Sequence, residues 1–176
     1  MDVYFLRHAN AGESLPNPKQ DEKRPVDELG IEQSQRMGRV LAVLEVKPDA
    51  IISSPLTRAT QTAALVAKQL GFEKSVLLED SLRPDAQFED FRDLLRRHTK
   101  QKAIMVVGHN PKLSEFLSLL ISDEATGSTI ELKKGAVAKV ELRRRRPLLQ
   151  WILTPKTAQA AQEASASRSR PKTSRK

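Results

Sequence analysis

Two histidines in this sequence each stand just behind a run of apolar residues. His8 follows Arg7 and the run 3–6, and His109 follows the run 103–107 and one glycine. Short uninterrupted apolar runs are typical of strands buried on both faces of a parallel sheet. Residues beyond the carboxyl ends of such strands gather in one crevice, whatever their separation in sequence. We therefore expect His8 and His109 to share a site, in which an imidazole can act as a nucleophile.

Arg58 is a third candidate for the same crevice. It stands in the first turn of a helix predicted after the apolar run 50–53. A guanidinium presents a planar fork of N–H donors that matches phosphate oxygens, and a helix N-terminus also favours anions. A nucleophilic imidazole, an arginine and a helix N-terminus together predict a site that transfers a phosphoryl group.

The elements that must position these residues alternate between strand and helix patterns. Apolar runs at 3–6, 50–53, 75–78 and 103–107 predict strands, and the segments between them carry apolar residues at helical spacing. This alternation predicts an α/β layered fold with a mainly parallel sheet. Helices are predicted from Asp27, as N-cap, to a break at 47–49, from Pro55 in the first turn to Leu70, from Phe88 to His98, and from Pro111 through Ile121.

Two less regular segments frame this pattern. Residues 136–142 and 148–153 predict an antiparallel hairpin at a sheet edge, with the polar break 143–147 as its turn. Residues 10–25 are polar and contain Gly12, Pro16 and Pro18, so we expect a long loop. Loops of this length are often functional.

Composition limits the possible organisation and chemistry. The 176 residues suit one domain, which we place at residues 1–156. The chain has no cysteine, which excludes disulfides and a thiolate nucleophile. Residues 156–176 hold six Lys or Arg and one Glu, so most of the net charge of +8 lies there. Because this segment lacks large apolar residues, we predict a basic, disordered tail at 157–176, either solubilising or an anchor for an acidic partner.

Several short motifs resemble one family. Residues 6–11, Leu-Arg-His-Ala-Asn-Ala, resemble the Arg-His-Gly motif of the histidine phosphatase superfamily. The segments 24–30, 53–63, 107–111 and 151–156 resemble the SixA-type phosphohistidine phosphatases within it. The resemblance spans residues 1–156 and implies a three-layer α/β/α sandwich of phosphoglycerate mutase-like fold, with a mainly parallel mixed sheet.

The resemblance also implies roles for particular residues. His8 corresponds to the histidine that is phosphorylated in turnover, and His109 to the second histidine, which donates a hydrogen bond to the phosphate. Arg7 and Arg58 would hold phosphoryl oxygens, with Arg24 assisting from its loop. Positive charge from these arginines would also keep His8 unprotonated. Neither a metal nor another cofactor is expected.

The sequence departs from the family pattern in two places. Ala9 stands where the Arg-His-Gly motif has glycine. Glu79, Asp80 and Asp85 are candidates for a general acid, but no convincing family motif surrounds them. An ester phosphatase needs an acid to protonate its leaving group, whereas a phosphohistidine can be protonated on its own ring. We therefore expect a protein-borne phosphohistidine as substrate, bound at a shallow, open site.

Other functions remain open at this stage. A phosphatase of small phosphate esters or phosphoserine would use the same fold. A non-catalytic module could bind nucleic acid through residues 143–146 and the tail, although four arginines in a turn are more typical of a solvated hairpin tip. His8, His98 and His109 do not have the spacing of metal ligands, which argues against a metal site. No Gly-x-Gly-x-x-Gly loop follows the first strands, which argues against a dinucleotide-binding domain.

Partners and location follow from the same observations. The family resemblance suggests a phosphohistidine-bearing protein as partner, such as the histidine phosphotransfer domain of two-component signalling. No apolar run approaches the roughly 18 residues of a membrane span. We therefore expect a cytoplasmic monomer that binds neither a membrane nor nucleic acid.

Overall fold

Six strands form one sheet in a computed structural model that describes residues 1–122, 129–143 and 146–168. In chain order the strands are β1 (Asp2–Arg7), β2 (Ala50–Ser53), β3 (Leu77–Leu78), β4 (Ala103–Gly108), β5 (Val137–Glu141) and β6 (Leu148–Leu153). They lie side by side in the order β3-β2-β4-β1-β5-β6.

The sheet is mainly parallel. The first four strands pair in parallel, while β5 runs antiparallel to β1 and β6 antiparallel to β5. The predicted mixed sheet with an antiparallel edge hairpin is confirmed. Strand β3 covers only the second half of the predicted run 75–78. At the predicted hairpin tip, Arg144 and Arg145 lie outside the described residues.

The central strands are covered on both faces, which explains their uninterrupted apolar runs. Along β1, Val3 and Phe5 belong to one core, and Tyr4 and Leu6 belong to the other. The first core includes the buried faces of α4 (Phe88–Arg97) and α5 (Lys112–Ile121). The second includes those of α2 (Glu28–Val43) and α3 (Thr57–Leu70). The predicted three-layer α/β/α arrangement is confirmed.

The helix boundaries follow local signals in the sequence. Asp27 caps α2, as predicted, because its side chain accepts a hydrogen bond of 2.8 Å from the Gly30 N–H. Helix α3 begins at Thr57 with Leu56 as its N-cap, so Pro55 precedes the helix instead of occupying its first turn. It ends before Gly71, whose φ of +64° is left-handed.

The segment predicted as a loop at 10–25 contains a five-residue helix, α1 (Pro18–Glu22). Asn17 caps it by accepting from the N–H groups of Lys19 and Gln20. An Asn cap followed by proline at the first helical position is a usual start signal for a helix. The remainder of the segment is irregular, as expected.

The segment predicted as a disordered tail, 157–176, is helical over residues 157–168. Helix α6 spans Pro155–Arg168, and the buried Ala158 joins the core formed with α2 and α3. Alanine and glutamine are good helix formers, and Thr154 accepts a hydrogen bond from the Thr157 N–H at the helix start. Through Ala158, helix α6 therefore contacts the core beyond residue 156, where the domain was predicted to end. Residues 169–176 of the predicted tail lie outside the described residues.

Over the described residues, no helix is both long and apolar enough to cross a bilayer.

Candidate active site

Sheet pairing brings the two histidines together. Arg7, the last residue of β1, is the register partner of Gly108, the last residue of β4. His8 and His109 therefore follow directly at adjacent strand ends, and the His8 N–H donates to the Gly108 carbonyl at 3.0 Å. Their ring centroids are 5.0 Å apart. The site lies at the carboxyl edge of the parallel strands, where the sequence predicted it.

The His8 ring is buried and its tautomer is fixed. Nδ1 lies 2.8 Å from the Ala9 carbonyl oxygen, which can only accept, so Nδ1 carries the ring proton. Burial lowers the pKa of His8 to about 3, and the positive charges of Arg58, Arg7 and Lys134 act in the same direction. At neutral pH the ring is therefore uncharged and its Nε2 atom holds a free lone pair. This is the state that a nucleophile requires.

His109 is also uncharged at neutral pH. Burial is the main cause that lowers its pKa to about 2, followed by the repulsion that a protonated His109 would meet from a protonated His8 and by the charge of Arg58. Its Nε2 lies 2.9 Å from Ser54 Oγ. That hydroxyl also accepts from the Leu56 N–H at 3.4 Å, and we assign its own proton to the bond with Nε2. The ring proton then lies on Nδ1, which has no hydrogen-bond partner among the described residues.

Two arginines stand beside the histidines. Arg7 is half-buried and donates from Nη1 to the Leu132 carbonyl at 2.7 Å. Arg58 is buried and donates from Nη1 to the Asp21 carbonyl at 2.8 Å. The Nε atoms of both arginines are buried and lack a partner among the described residues. With His109 Nδ1, the residues around His8 thus carry three N–H donors that lack a partner among the described residues. The oxygens of a phosphoryl group are acceptors that such donors bind.

Arg24 lies beside Arg58, and Asp21 connects the two. Arg24 Nε donates to Asp21 Oδ1 at 2.8 Å, and Arg58 Nη1 lies 3.2 Å from Asp21 Oδ2. Arg24 Nη1 also bonds the Ala11 carbonyl. The hydrogen bond from Arg24 is the main cause that lowers the pKa of Asp21 to about 2. In this arrangement Arg24 orients the carboxylate that holds Arg58.

Comparison of the sequence with known proteins finds a family over the segment that carries His8 and Arg58. The family model for branch 1 of the histidine phosphatase superfamily matches residues 3–84. An uncharacterized protein of Picosynechococcus sp. is 30% identical over 140 residues, which cover 78% of this chain and 82% of that protein. The chain belongs to the histidine phosphatase superfamily. It is accordingly a phosphatase in which histidine takes part in catalysis.

Solved structures of histidine phosphatases share the fold. The protein histidine phosphatase SixA, solved with tungstate, superposes with a TM-score of 0.79 at 21% identity, over 89% of this chain and 98% of that one. SixA from Agrobacterium tumefaciens gives 0.73 at 25% identity, over 88% and 97%. A phosphoserine phosphatase variant from Entamoeba histolytica, solved with phosphoserine, gives 0.66 at 16% identity, over 89% and 98%. The same histidine phosphatase fold therefore occurs in proteins named for different substrates.

Three further residues of this histidine phosphatase contact the predicted site residues and carry no motif that predicted them. They are Asp21 on α1, Ser54 after β2 and Thr62 on α3. Thr62 Oγ1 accepts from the Ala9 N–H at 3.0 Å and donates to the Arg58 carbonyl at 2.7 Å, which links the His8 segment to α3. Asp21 stands three residues before Arg24, a spacing typical of helical ion pairs, and this was the available signal. Ser54 and Thr62 carry no comparable signal.

The carboxylic acids considered from the sequence do not contact the site. Glu79 pairs with Arg97 at 2.9 Å, and Asp80 pairs with Arg83 at 2.6 Å. Asp85 is exposed, and its backbone carbonyl accepts a hydrogen bond from the side chain of Gln87 at 3.1 Å. His98, the third histidine, lies at the C-cap of α4 with Nδ1 at 2.9 Å from a glutamine, as expected for a structural residue. Among the described residues, no group of three or more potential ligands is placed to hold a metal ion.

A cavity of about 700 Å³ opens next to the site along α5. Arg7 and Asn110 stand at its end near the histidines, and Ser114, Leu119 and Ile130 line the rest. Such a groove leaves room for a substrate much larger than its phosphoryl group.

Proposed function

We propose that this histidine phosphatase hydrolyses phosphohistidine on proteins through a phosphorylated His8. The observation that carries the proposal is the state of the His8 ring, which is buried and neutral and whose Nδ1–H donates to the Ala9 carbonyl. The free lone pair on Nε2 can attack phosphorus. The bond from phosphorus to the substrate imidazole breaks as the new bond forms, and the leaving ring retains its electron pair and takes up a proton.

The surrounding donors support the same step. A phosphoryl group in transfer spreads negative charge over its equatorial oxygens and needs fixed donors around them. Arg7, Arg58 and His109 each carry a buried donor without a partner among the described residues. In a second step, water attacks phospho-His8, inorganic phosphate leaves, and the imidazole is regenerated.

The protonation state of Asp21 removes this residue as an acid for the leaving group of a phosphate ester. Asp21 is the carboxylate in direct contact with Arg58, and its pKa of about 2 keeps it ionised at neutral pH. It therefore has no proton to give to an alkoxide leaving group. A phosphohistidine needs no such acid, because its imidazole ring can be protonated before the P–N bond breaks.

The experiment compares wild type, His8→Ala and His98→Ala on four substrate classes. These are phosphohistidine peptides, phosphohistidine proteins, phosphoserine peptides and sugar phosphates, with release of inorganic phosphate as readout. We expect phosphohistidine hydrolysis by wild type and His98→Ala, and a loss of at least about 10³-fold in His8→Ala. Label from the phosphorylated substrate should be trapped on wild-type protein as acid-labile phosphohistidine.

Two outcomes would contradict the proposal. Activity confined to phosphoserine or sugar phosphates would reject phosphohistidine as substrate. Hydrolysis of phosphohistidine that survives His8→Ala would reject His8 as the nucleophile.

A further inference from the structure

A second cleft, outside the site described above, is strongly cationic. It has a volume of about 590 Å³ and lies between α2, the turn 133–135 and the start of α6. Among the described residues that line it there is neither a carboxylate nor an aromatic side chain. Its four cations are Arg36, Lys133, Lys134 and Lys156. We call it the cationic cleft.

Hydrogen bonds connect the cationic cleft to the segment that carries His8. The Gly135 N–H lies 3.1 Å from the carbonyl oxygens of both Arg7 and His8. The neighbouring Lys134 donates from Nζ to Asn10 Oδ1 at 3.0 Å, and Asn10 is two residues beyond His8. The cationic cleft therefore borders the segment that carries His8.

The walls of the cleft are closely packed. Gly135 has a φ of +73°, and a Cβ atom at this position would lie 3.1 Å from Pro155 Cγ and 3.5 Å from Gln33 Oε1. The same Gln33 oxygen accepts a hydrogen bond of 3.0 Å from the Asn10 N–H. The turn, α2 and the start of α6 thus hold each other in place, and the cleft is a preformed feature of the fold.

The positive charge of the cleft is only partly neutralised within the protein. Arg36 pairs with Glu32, and Lys133 pairs with Glu131 at 2.8 Å, both from outside the lining. Over the part of the chain that the structure describes, neither Lys134 nor Lys156 forms an ion pair with a carboxylate. A ligand with several negative charges would supply the missing partners.

We propose that the cationic cleft binds carboxylate side chains that flank the phosphohistidine of a protein substrate. The inference builds on the proposed function and names an acidic surface as the feature that the enzyme recognises. Single-stranded nucleic acid is a poorer fit, because its binding sites combine cations with aromatic side chains on which bases stack. No aromatic side chain is present among the described residues of this cleft.

The test uses two phosphohistidine peptides that differ only in their flanks, which carry Asp and Glu in one and Asn and Gln in the other. The proteins are wild type, the double variant Lys133→Gln/Lys156→Gln, and Lys47→Gln as control. Lys47 is exposed and precedes β2, so it lies at the amino ends of the parallel strands, whereas the site lies at their carboxyl ends. The control therefore removes a charge remote from the cleft. The measured quantity is the ratio of kcat/KM for the acidic peptide to that for the neutral peptide.

We expect wild type and Lys47→Gln to prefer the acidic peptide by about three- to tenfold, and the double variant to show a ratio near one. The preference should shrink with added salt, because salt screens charges at the surface. A wild-type ratio of one, or a double variant that keeps the wild-type ratio, would overturn the inference.

A binding measurement separates failure of this inference from failure of the proposed function. Fluorescence anisotropy of an unphosphorylated acidic peptide is measured with His8→Ala protein, with and without the two lysine substitutions. If neither phosphohistidine peptide is hydrolysed but the acidic peptide binds through the lysines, the substrate proposal fails and the cleft assignment stands. If an RNA oligonucleotide binds through these lysines and the acidic peptide does not, the cleft assignment fails.

Discussion

The imidazole rings of His8 and His109 lie 5.0 Å apart between centroids, and both are buried and uncharged at neutral pH. Burial, and then the charges of Arg58 and Arg7, make a positive charge on either ring unfavourable. Two imidazoles held neutral can divide the work, since one offers a lone pair and the other an N–H group. In the mechanism proposed above, the depressed pKa values keep both rings in the form that each role requires.

The same depressed pKa values make the fold sensitive to acid. The pKa of each ring is about 6.5 in the unfolded chain and about 3 for His8 and 2 for His109 in the fold. Between these values the unfolded chain binds more protons, so the free energy of unfolding falls as the pH drops below about 6.5. We expect each histidine to lower it by roughly 1–2 kcal/mol between pH 7 and pH 5. Urea denaturation at both pH values measures this, and His8→Asn should show a smaller loss than wild type. An equal loss in both proteins would contradict the prediction.

Ser54 should control which nitrogen of His109 carries the proton. Ser54→Ala removes the hydroxyl that lies 2.9 Å from Nε2, so the proton can occupy either ring nitrogen. We expect kcat to fall about tenfold, and ¹⁵N shifts of the imidazole to change from a single Nδ1-protonated form to a mixture. Ser53→Ala is the control, because Ser53 is equally buried but donates to the Ser54 carbonyl and does not contact His109. An unchanged ¹⁵N spectrum in Ser54→Ala would show that another group sets the tautomer.

The convergence of His8, Arg58 and His109 could be predicted because it depends on topology alone. Each follows the end of a parallel strand, and such ends share one edge of the sheet. The hydrogen bonds that orient these residues could not be predicted. Ser54 and Thr62 lie within apolar or small-residue segments and have no distinguishing pattern.

Two other elements show why local pattern fails at short or weakly apolar segments. Helix α1 is five residues long and buries no side chain, so it has no hydrophobic period to detect. Helix α6 contacts the core through Ala158, and a small side chain contributes little to an apolar stripe. In both cases capping residues give better information than hydrophobicity.

Asp21 is expected to act as a positioning residue for Arg58. Asp21→Asn removes the charge that faces Arg58 Nη1 at 3.2 Å and weakens the bond from Arg24. We expect kcat/KM to fall about tenfold. The change should appear mainly as a higher KM, because a less ordered Arg58 holds the phosphoryl oxygens of the bound substrate less well. Glu89→Gln is a matched control, since Glu89 pairs with Arg92 at 3.0 Å on an exposed face of α4. Wild-type kinetics in Asp21→Asn would show that Arg58 needs no carboxylate to hold it.

Gly30 should resist the replacement that usually stabilises a helix. Alanine in a helix interior is favoured over glycine by about 1 kcal/mol, yet a Cβ atom at Gly30 would overlap the Asn10 carbonyl oxygen. We expect Gly30→Ala to lower the free energy of unfolding by roughly 1–3 kcal/mol and to reduce activity, because Asn10 lies on the segment that follows His8. Urea denaturation measures the change. Arg39→Ala on an exposed face of the same helix should stay within about 0.5 kcal/mol of wild type, and a stabilised Gly30→Ala would refute the close contact.

The last prediction concerns where the domain ends. If α6 is part of the fold, a charge at Ala158 should be costly, because this side chain is 1% exposed and belongs to the core shared with α2. We expect Ala158→Glu to lower the free energy of unfolding by roughly 2–4 kcal/mol. Ala160→Glu, two residues along the same helix and exposed, should change it by less than about 0.5 kcal/mol. Thermal and urea denaturation of the two variants decide the matter, since equal stabilities would mean that α6 does not pack on the domain and that the fold ends near residue 156.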